Sequence, residues 1–238
     1  MNELRVLAAG SLRGVLPGLI AAFNQQNDTC VTSTFGPAGL LRQRIEQGEP
    51  CDLFASANVA HPQTLLAAGK AVSVANFTQN QLCLSVKVGL AATGRDWLDL
   101  LSDPALRVAT STPLSDPSGD YTWELFDRIE QHHKGTGNLL RQRALQLVGG
   151  PDSLAIPAGM LAASWVLNGN QADIFIGYKS YAPLIAMESG IVTLDIPAPY
   201  QVRADYALAV CHGKAQPLAE FLLSPGAQEM LQKAGFSR

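Results

Sequence analysis

Leu4-Arg5-Val6-Leu7-Ala8-Ala9 is a mostly apolar run without alternation, the pattern of a strand buried on both faces. Gly10-Ser11 breaks it, and Val15, Leu16, Leu19, Ile20 and Phe23 then recur at helical spacing, which predicts a helix with Ser11 as its N-cap. Thr29 to Phe35 is rich in β-branched residues and reads as a second strand. It ends in Gly36-Pro37-Ala38-Gly39, and Leu40, Leu41 and Ile45 follow at helical spacing. Asp52 to Ala55 gives a third short strand, with a helix running on to Gly69. Strand, small-residue turn and helix in succession indicate a right-handed doubly wound parallel sheet.

Gln81 to Val86 departs from this rhythm, because no well-formed crossover helix follows it. It reads as a connection to a second lobe. There Trp97 to Leu101 is a short helix, and Arg107 to Thr110 a strand. The turn Pro113 to Tyr121 leads to a helix carrying Leu125, Phe126 and Ile129 on one face. His132-His133 falls on that helix and reads as a solvated face, since adjacent residues on a helix diverge. Ala155 to Ala158 leads into a helix through Met160, Trp165 and Leu167, and Ala172 to Ile176 is a buried strand ending at Gly177-Tyr178-Lys179. A helix to Glu188, a strand from Ile191 to Ile196 and a returning strand from Asp205 to Cys211 complete the pattern before a helical C-terminus. The expectation is an α/β fold of two lobes, each a mostly parallel sheet flanked by helices, with a two-strand hinge. Residues 1–83 with 206–238 would form one lobe and 84–205 the other.

The turns at Ser11, at Ala38-Gly39 and around Ser118 each sit where a strand gives way to a helix. Such positions gather unpaired N–H groups and the positive end of a helix dipole, so they suit an anion. For any one of them alone an ordinary cap or βα turn explains as much; their recurrence at the carboxyl ends of strands points to a ligand cleft, closing as the lobes move.

Charge and composition remove other classes. The 238 residues carry a formal net charge of -3 with no Lys/Arg cluster, against nucleic acid or an anionic membrane as partner. No apolar run reaches the ~18 residues of a membrane span. No signal peptide precedes the first strand, so the sequence reads as a mature or trimmed form, or as a cytosolic protein. Cys30, Cys51, Cys83 and Cys211 show no zinc-ligand spacing. If the two connecting strands run side by side and antiparallel, Cys83 and Cys211 come opposite, as a hinge disulfide or as buried thiols.

The Ala8-Ala9-Gly10-Ser11-Leu12 start, the block from Leu41 and Ile45 through Gln47-Gly48-Glu49-Pro50-Cys51-Asp52-Leu53-Phe54-Ala55-Ser56-Ala57, and Ile174-Phe175-Ile176-Gly177-Tyr178 resemble the molybdate-binding proteins of ABC importers, which have the type II periplasmic binding protein fold. The resemblance spans essentially the whole chain. It implies a periplasmic monomer that captures a tetrahedral oxyanion, molybdate or tungstate first and sulfate as a further candidate, and delivers it to ABC permease subunits. It implies no cofactor, no metal and no enzyme chemistry. Carried over by position, the ligand-facing set is Ser11, Ala38, Gly39, Ser118, Met160 and Tyr178; Ser11 and Tyr178 would use side chains and the others mainly backbone N–H groups. The family usually has a serine where Ala38 stands, a small apolar residue in place of Ser118, and a glycine in place of Lys179.

Two other readings compete. An oxyanion-sensing domain of a regulatory protein shares this two-lobed architecture, but no helix-turn-helix or basic segment is present. An enzyme with Ser11 as nucleophile lacks a base, since His61, the nearest in sequence, precedes Pro62 at a helix start. A site made of donors favours an anion without a proton, and Asp116 and Asp120 read as local loop and helix-start residues.

Overall fold

Apolar runs punctuated by glycine and proline become alternating strands and helices. The computed structural model describes residues 2–237. The chain forms β1 (Asn2–Ala9), a 3₁₀ turn at Gly10–Leu12, α1 (Leu16–Asn24), β2 (Thr29–Gly36), α2 (Ala38–Glu46), β3 (Leu53–Ser56), α3 (Ala60–Ala67) and β4 (Ser73–Lys87). Next come α4 (Val88–Ala91), α5 (Trp97–Ser102), β5 (Val108–Ser111), α6 (Pro117–His132), α7 (Thr136–Arg143), β6 (Leu145–Val148), α8 (Ala162–Asn168), β7 (Ile174–Tyr178), α9 (Ala182–Ile185) and β8 (Ile191–Asp195). β9 (Arg203–Val210), α10 (Gln216–Leu223) and α11 (Pro225–Lys233) end it. Two compact units result: the chain up to Asn80 with the chain from Ala204 onward, and Gln81–Arg203.

In the first unit β1 pairs in parallel with β2 and β3, and β9 runs antiparallel to β3. β2 is the edge strand, so its side chains alternate between half-buried and exposed along most of its length. β3 is covered on both faces, and all four of its residues are buried. The apolar stripe of α1, Leu16, Leu19, Ile20 and Phe23, is buried as its spacing requires. Phe23 meets Phe221 of α10 edge-on at 5.6 Å, which ties the first segment of this unit to the last. Each such buried side chain contributes about 1.5–3 kcal/mol.

In the second unit β5 pairs in parallel with β6 and β7, while β4 lies antiparallel to β7 and β8. Leu125, Phe126 and Ile129 of α6 are fully buried. α7 and β6 were not evident in the sequence. α7 packs on α6 through Gly137, whose missing Cβ leaves room for the Phe126 carbonyl. α8 starts at Ala162 and not near Ala158, because Gly159 takes φ +80° and breaks the helical path. His132 and His133 are exposed, as expected of a solvated face, and both rings pack on Tyr200, at 5.0 and 5.8 Å, with His133 Nε2 2.7 Å from Tyr200 Oη.

Candidate functional site

Ser11 follows β1 directly, but it is not a helix cap. It lies in the 3₁₀ turn, and α1 begins five residues later, at Leu16, without a side-chain cap. Its hydroxyl instead meets Tyr206 Oη at 2.8 Å. Tyr206 is fully buried on β9, with its ring edge-on to Phe77 and Phe236. Asn80 Nδ2 donates to the same phenolic oxygen at 3.4 Å. The phenol oxygen can accept from Asn80 and still either give or take a hydrogen in the Ser11 contact. The series Asn80–Tyr206–Ser11 thereby holds the serine hydroxyl in place.

The β1–β2 register places Ala9 beside Gly36, so the Ser11 turn and the start of α2 leave adjacent strands at the same edge. Ala38 and Gly39 are buried in the first turn of α2, after Pro37. The first N–H groups of a helix have no intrahelical acceptor, and they lie at the positive end of its dipole. Ser11, Ala38 and Gly39 are thus brought together in the first unit. The neighbouring turn after β3 spends its groups locally: Asn58 N–H donates to Ser56 Oγ at 3.2 Å, and His61 N–H donates to Asn58 Oδ1 at 3.1 Å. Arg13 lies over the Phe35 ring at 5.2 Å.

In the second unit Ser118 is buried in the first turn of α6. Asp116 caps that helix and accepts from the Ser118 N–H at 3.1 Å, so the backbone donor expected there is already engaged. Gly119 admits no side chain, since a Cβ would stand 2.6 Å from Pro113 N and 2.7 Å from Ser111 O. Asp120 accepts from the Leu114 N–H at 2.7 Å. Both aspartates therefore act locally. Burial lifts the Asp116 carboxyl to about 6, against opposing hydrogen bonds from Ser118 and Ser111; burial raises Asp120 too. Asp116 is turned toward Gly149, where a Cβ would meet its Oδ2 at 2.5 Å.

Tyr178 ends β7, buried, with its ring edge-on to Tyr121 at 6.5 Å. Tyr121 belongs to the first turns of α6, so Ser118 and Tyr178 are grouped through it. Met160 is placed otherwise. It is exposed, lines a hollow of about 440 Å³ with Gly159, Ser164 and Trp165, and its N–H donates to the Pro157 carbonyl at 3.1 Å. Lys179 pairs with Asp195 at 2.9 Å.

The cysteine expectation is also corrected. Cys83 sits in β4 opposite Gly177 and Asp195, whereas Cys211 meets Cys51, and all four thiols are free. Tyr206 and Asn80 were missed as site residues. The available signal was one aromatic hydroxyl inside an otherwise apolar strand, Tyr206-Ala207-Leu208-Ala209-Val210. Among the described residues no group of His, Cys, Asp and Glu is arranged to hold a metal ion. Nor is any described helix long and apolar enough to cross a membrane.

This fold and these turns define a class, and the chain belongs to the bacterial extracellular solute-binding protein family, whose model matches residues 4–237. It is 46% identical over 235 residues to an uncharacterized protein of Pasteurella multocida, covering 98% of each. It is 25% identical over 259 residues to the molybdate-binding protein ModA of Escherichia coli, covering 99% of this chain and 89% of that one. The sulfate-binding protein SubI of Mycobacterium tuberculosis superposes with a TM-score of 0.79 at 20% identity, covering 99% of this chain and 86% of the other. The type II periplasmic binding protein fold expected from the sequence is therefore the fold of this chain.

Proposed function

We propose that this protein is the solute-capturing component of an ABC importer, and that its solute is a tetrahedral oxyanion, molybdate or tungstate before sulfate. Ser11, Ala38 and Gly39 are the proposed donors within the first unit, and Tyr178 is the proposed hydroxyl within the second. The observation that carries this reading is the Asn80–Tyr206–Ser11 series, which holds the serine hydroxyl beside the start of α2. The local hydrogen bonds that Asp116 and Asp120 accept inside their own unit support an unprotonated ligand. Phosphate keeps at least one acidic proton near neutrality and would need an acceptor; a proton buried against donors leaves hydrogen bonds unmade at about 1–3 kcal/mol each. The family and the ModA similarity support a permease partner and a periplasmic location.

Ser11→Ala tests the reading. A hydrogen bond to a charged ligand is worth about 1.5–3 kcal/mol, so molybdate affinity measured by calorimetry falls roughly ten- to a hundredfold. Unchanged affinity removes Ser11 from the site.

A further inference from the structure

Cys51 stands just before β3 and Cys211 just after β9, and these strands pair antiparallel with Leu53 opposite Val210. Past that pair the ladder bulges. The Asp52 carbonyl accepts from both the Cys211 N–H, at 3.0 Å, and the His212 N–H, at 3.2 Å. Two residues of β9's continuation therefore face one residue before β3. At this irregular corner the two thiols are neighbours, and both are half-buried. The Cys211 Sγ also donates to the Ala209 carbonyl at 3.8 Å. The Cys51 thiol is pushed up by its contact with Cys211 and by burial, while the contact with Cys51 holds the Cys211 thiol down. The other two cysteines differ: Cys30 is exposed on β2, and Cys83 is buried in β4 of the other unit.

We propose that Cys51 and Cys211 form an oxidisable pair, closing to a disulfide that ties the start of β3 to the end of β9 when the protein meets a disulfide oxidant. The membership of an extracellular family places such a chain where disulfides persist. The oxidant is a small-molecule disulfide or an oxidised dithiol protein. The Cys211 thiolate attacks one oxidant sulfur, forms a mixed disulfide and expels the other sulfur as a thiolate. Cys51 then loses its proton and attacks the Cys211 sulfur, which expels the second thiol. Two protein thiols are oxidised, one disulfide is reduced to two thiols, and two protons and two electrons pass to the oxidant. The product joins the two separate stretches of chain that build the first unit, on either side of the excursion through Gln81–Arg203. Nothing in this depends on which solute is bound.

The test is incubation of the full chain with oxidised glutathione, followed by denaturation, alkylation of remaining thiols and peptide mass spectrometry. The expected result is alkylation of only Cys30 and Cys83, a mass lower by two hydrogens, and a linked Cys51–Cys211 peptide. The denaturation midpoint rises on oxidation, and this rise is lost in Cys51→Ser and in Cys211→Ser. Cys51→Ser should also trap a glutathione adduct at Cys211, the attacking sulfur. Alkylation of all four cysteines in the wild type overturns the proposal. So does a stable glutathione adduct at Cys211 of the wild type with Cys51 still reduced.

Discussion

Tyr206→Phe removes one oxygen atom from the middle of the Asn80–Tyr206–Ser11 series and leaves the ring against Phe77 and Phe236. Two hydrogen bonds are lost, at net values of about 0.5–1.5 kcal/mol each, so the first unit is destabilised by about 1–3 kcal/mol. In a chain of this length each kcal/mol lowers the melting temperature by about 2–4 °C. The effect on ligand is separate and smaller than that of Ser11→Ala, because the serine keeps its hydroxyl and loses only its orientation. A three- to tenfold weakening of molybdate binding is expected, equivalent to about 0.6–1.4 kcal/mol. Calorimetry on Tyr206→Phe, Ser11→Ala and the double variant measures the coupling. Tyr206 acts only through Ser11, so the double variant should bind no worse than Ser11→Ala alone. Full affinity in Tyr206→Phe, or losses that simply add in the double variant, refutes the orienting role.

Other outcomes follow from burial. Asp116 titrates near 6 in the folded protein against an ordinary 3.8, so the native state holds a proton that the unfolded chain has released in that window. Stability therefore falls as pH rises from about 4 to 6, by up to about 3 kcal/mol. Asp116→Asn, uncharged and still able to accept from Ser118, should abolish that fall in denaturant titrations, and an unaltered pH profile would count against it. His61 has the opposite sign: burial and then the Arg42 charge lower it to about 4 from 6.5. The unfolded chain takes up a proton that the native state refuses, so stability rises with pH across that range, and His61→Gln should flatten the rise. Gly119→Ala puts a methyl group against the backbone at Ser111, Thr112 and Pro113. It should cost about 1–3 kcal/mol or more, read as a lower denaturation midpoint.

The elements that could be read from sequence were those whose burial imposes a period. β1, α1 and β3 lie deep in a sheet or against it, so their apolar residues advertise themselves. The first half of β4 was invisible because Ser73 to Asn80 is largely polar, with Phe77 its one large apolar side chain. α7 was hidden for a related reason: Leu140 is its one large buried apolar side chain, and its packing uses the absence of a side chain at Gly137. Within the site, the turns at Ser11 and Ala38 were legible because each breaks an apolar run. Their surroundings were not. Tyr206 lies 195 residues from Ser11, and only the β3–β9 register sets which residues of β9 come to that edge. The same register, with its bulge at Asp52, brings Cys211 to Cys51; spacing along the chain carries no trace of it.

The Ser118 and Met160 N–H groups have partners for a local reason. An aspartate before a helix and a proline three residues before Met160 offer nearer acceptors, and both N–H groups take them. Within the second unit the proposed donors are then side-chain hydroxyls.

Direct calorimetric titration of the purified chain with molybdate, and separately with phosphate at the same pH near neutrality, tests the central claim most directly. A site of oriented donors, with its aspartates engaged elsewhere, predicts saturable molybdate binding and weaker or undetectable phosphate binding. Phosphate binding tighter than molybdate would contradict the account and turn attention to an acceptor within the site.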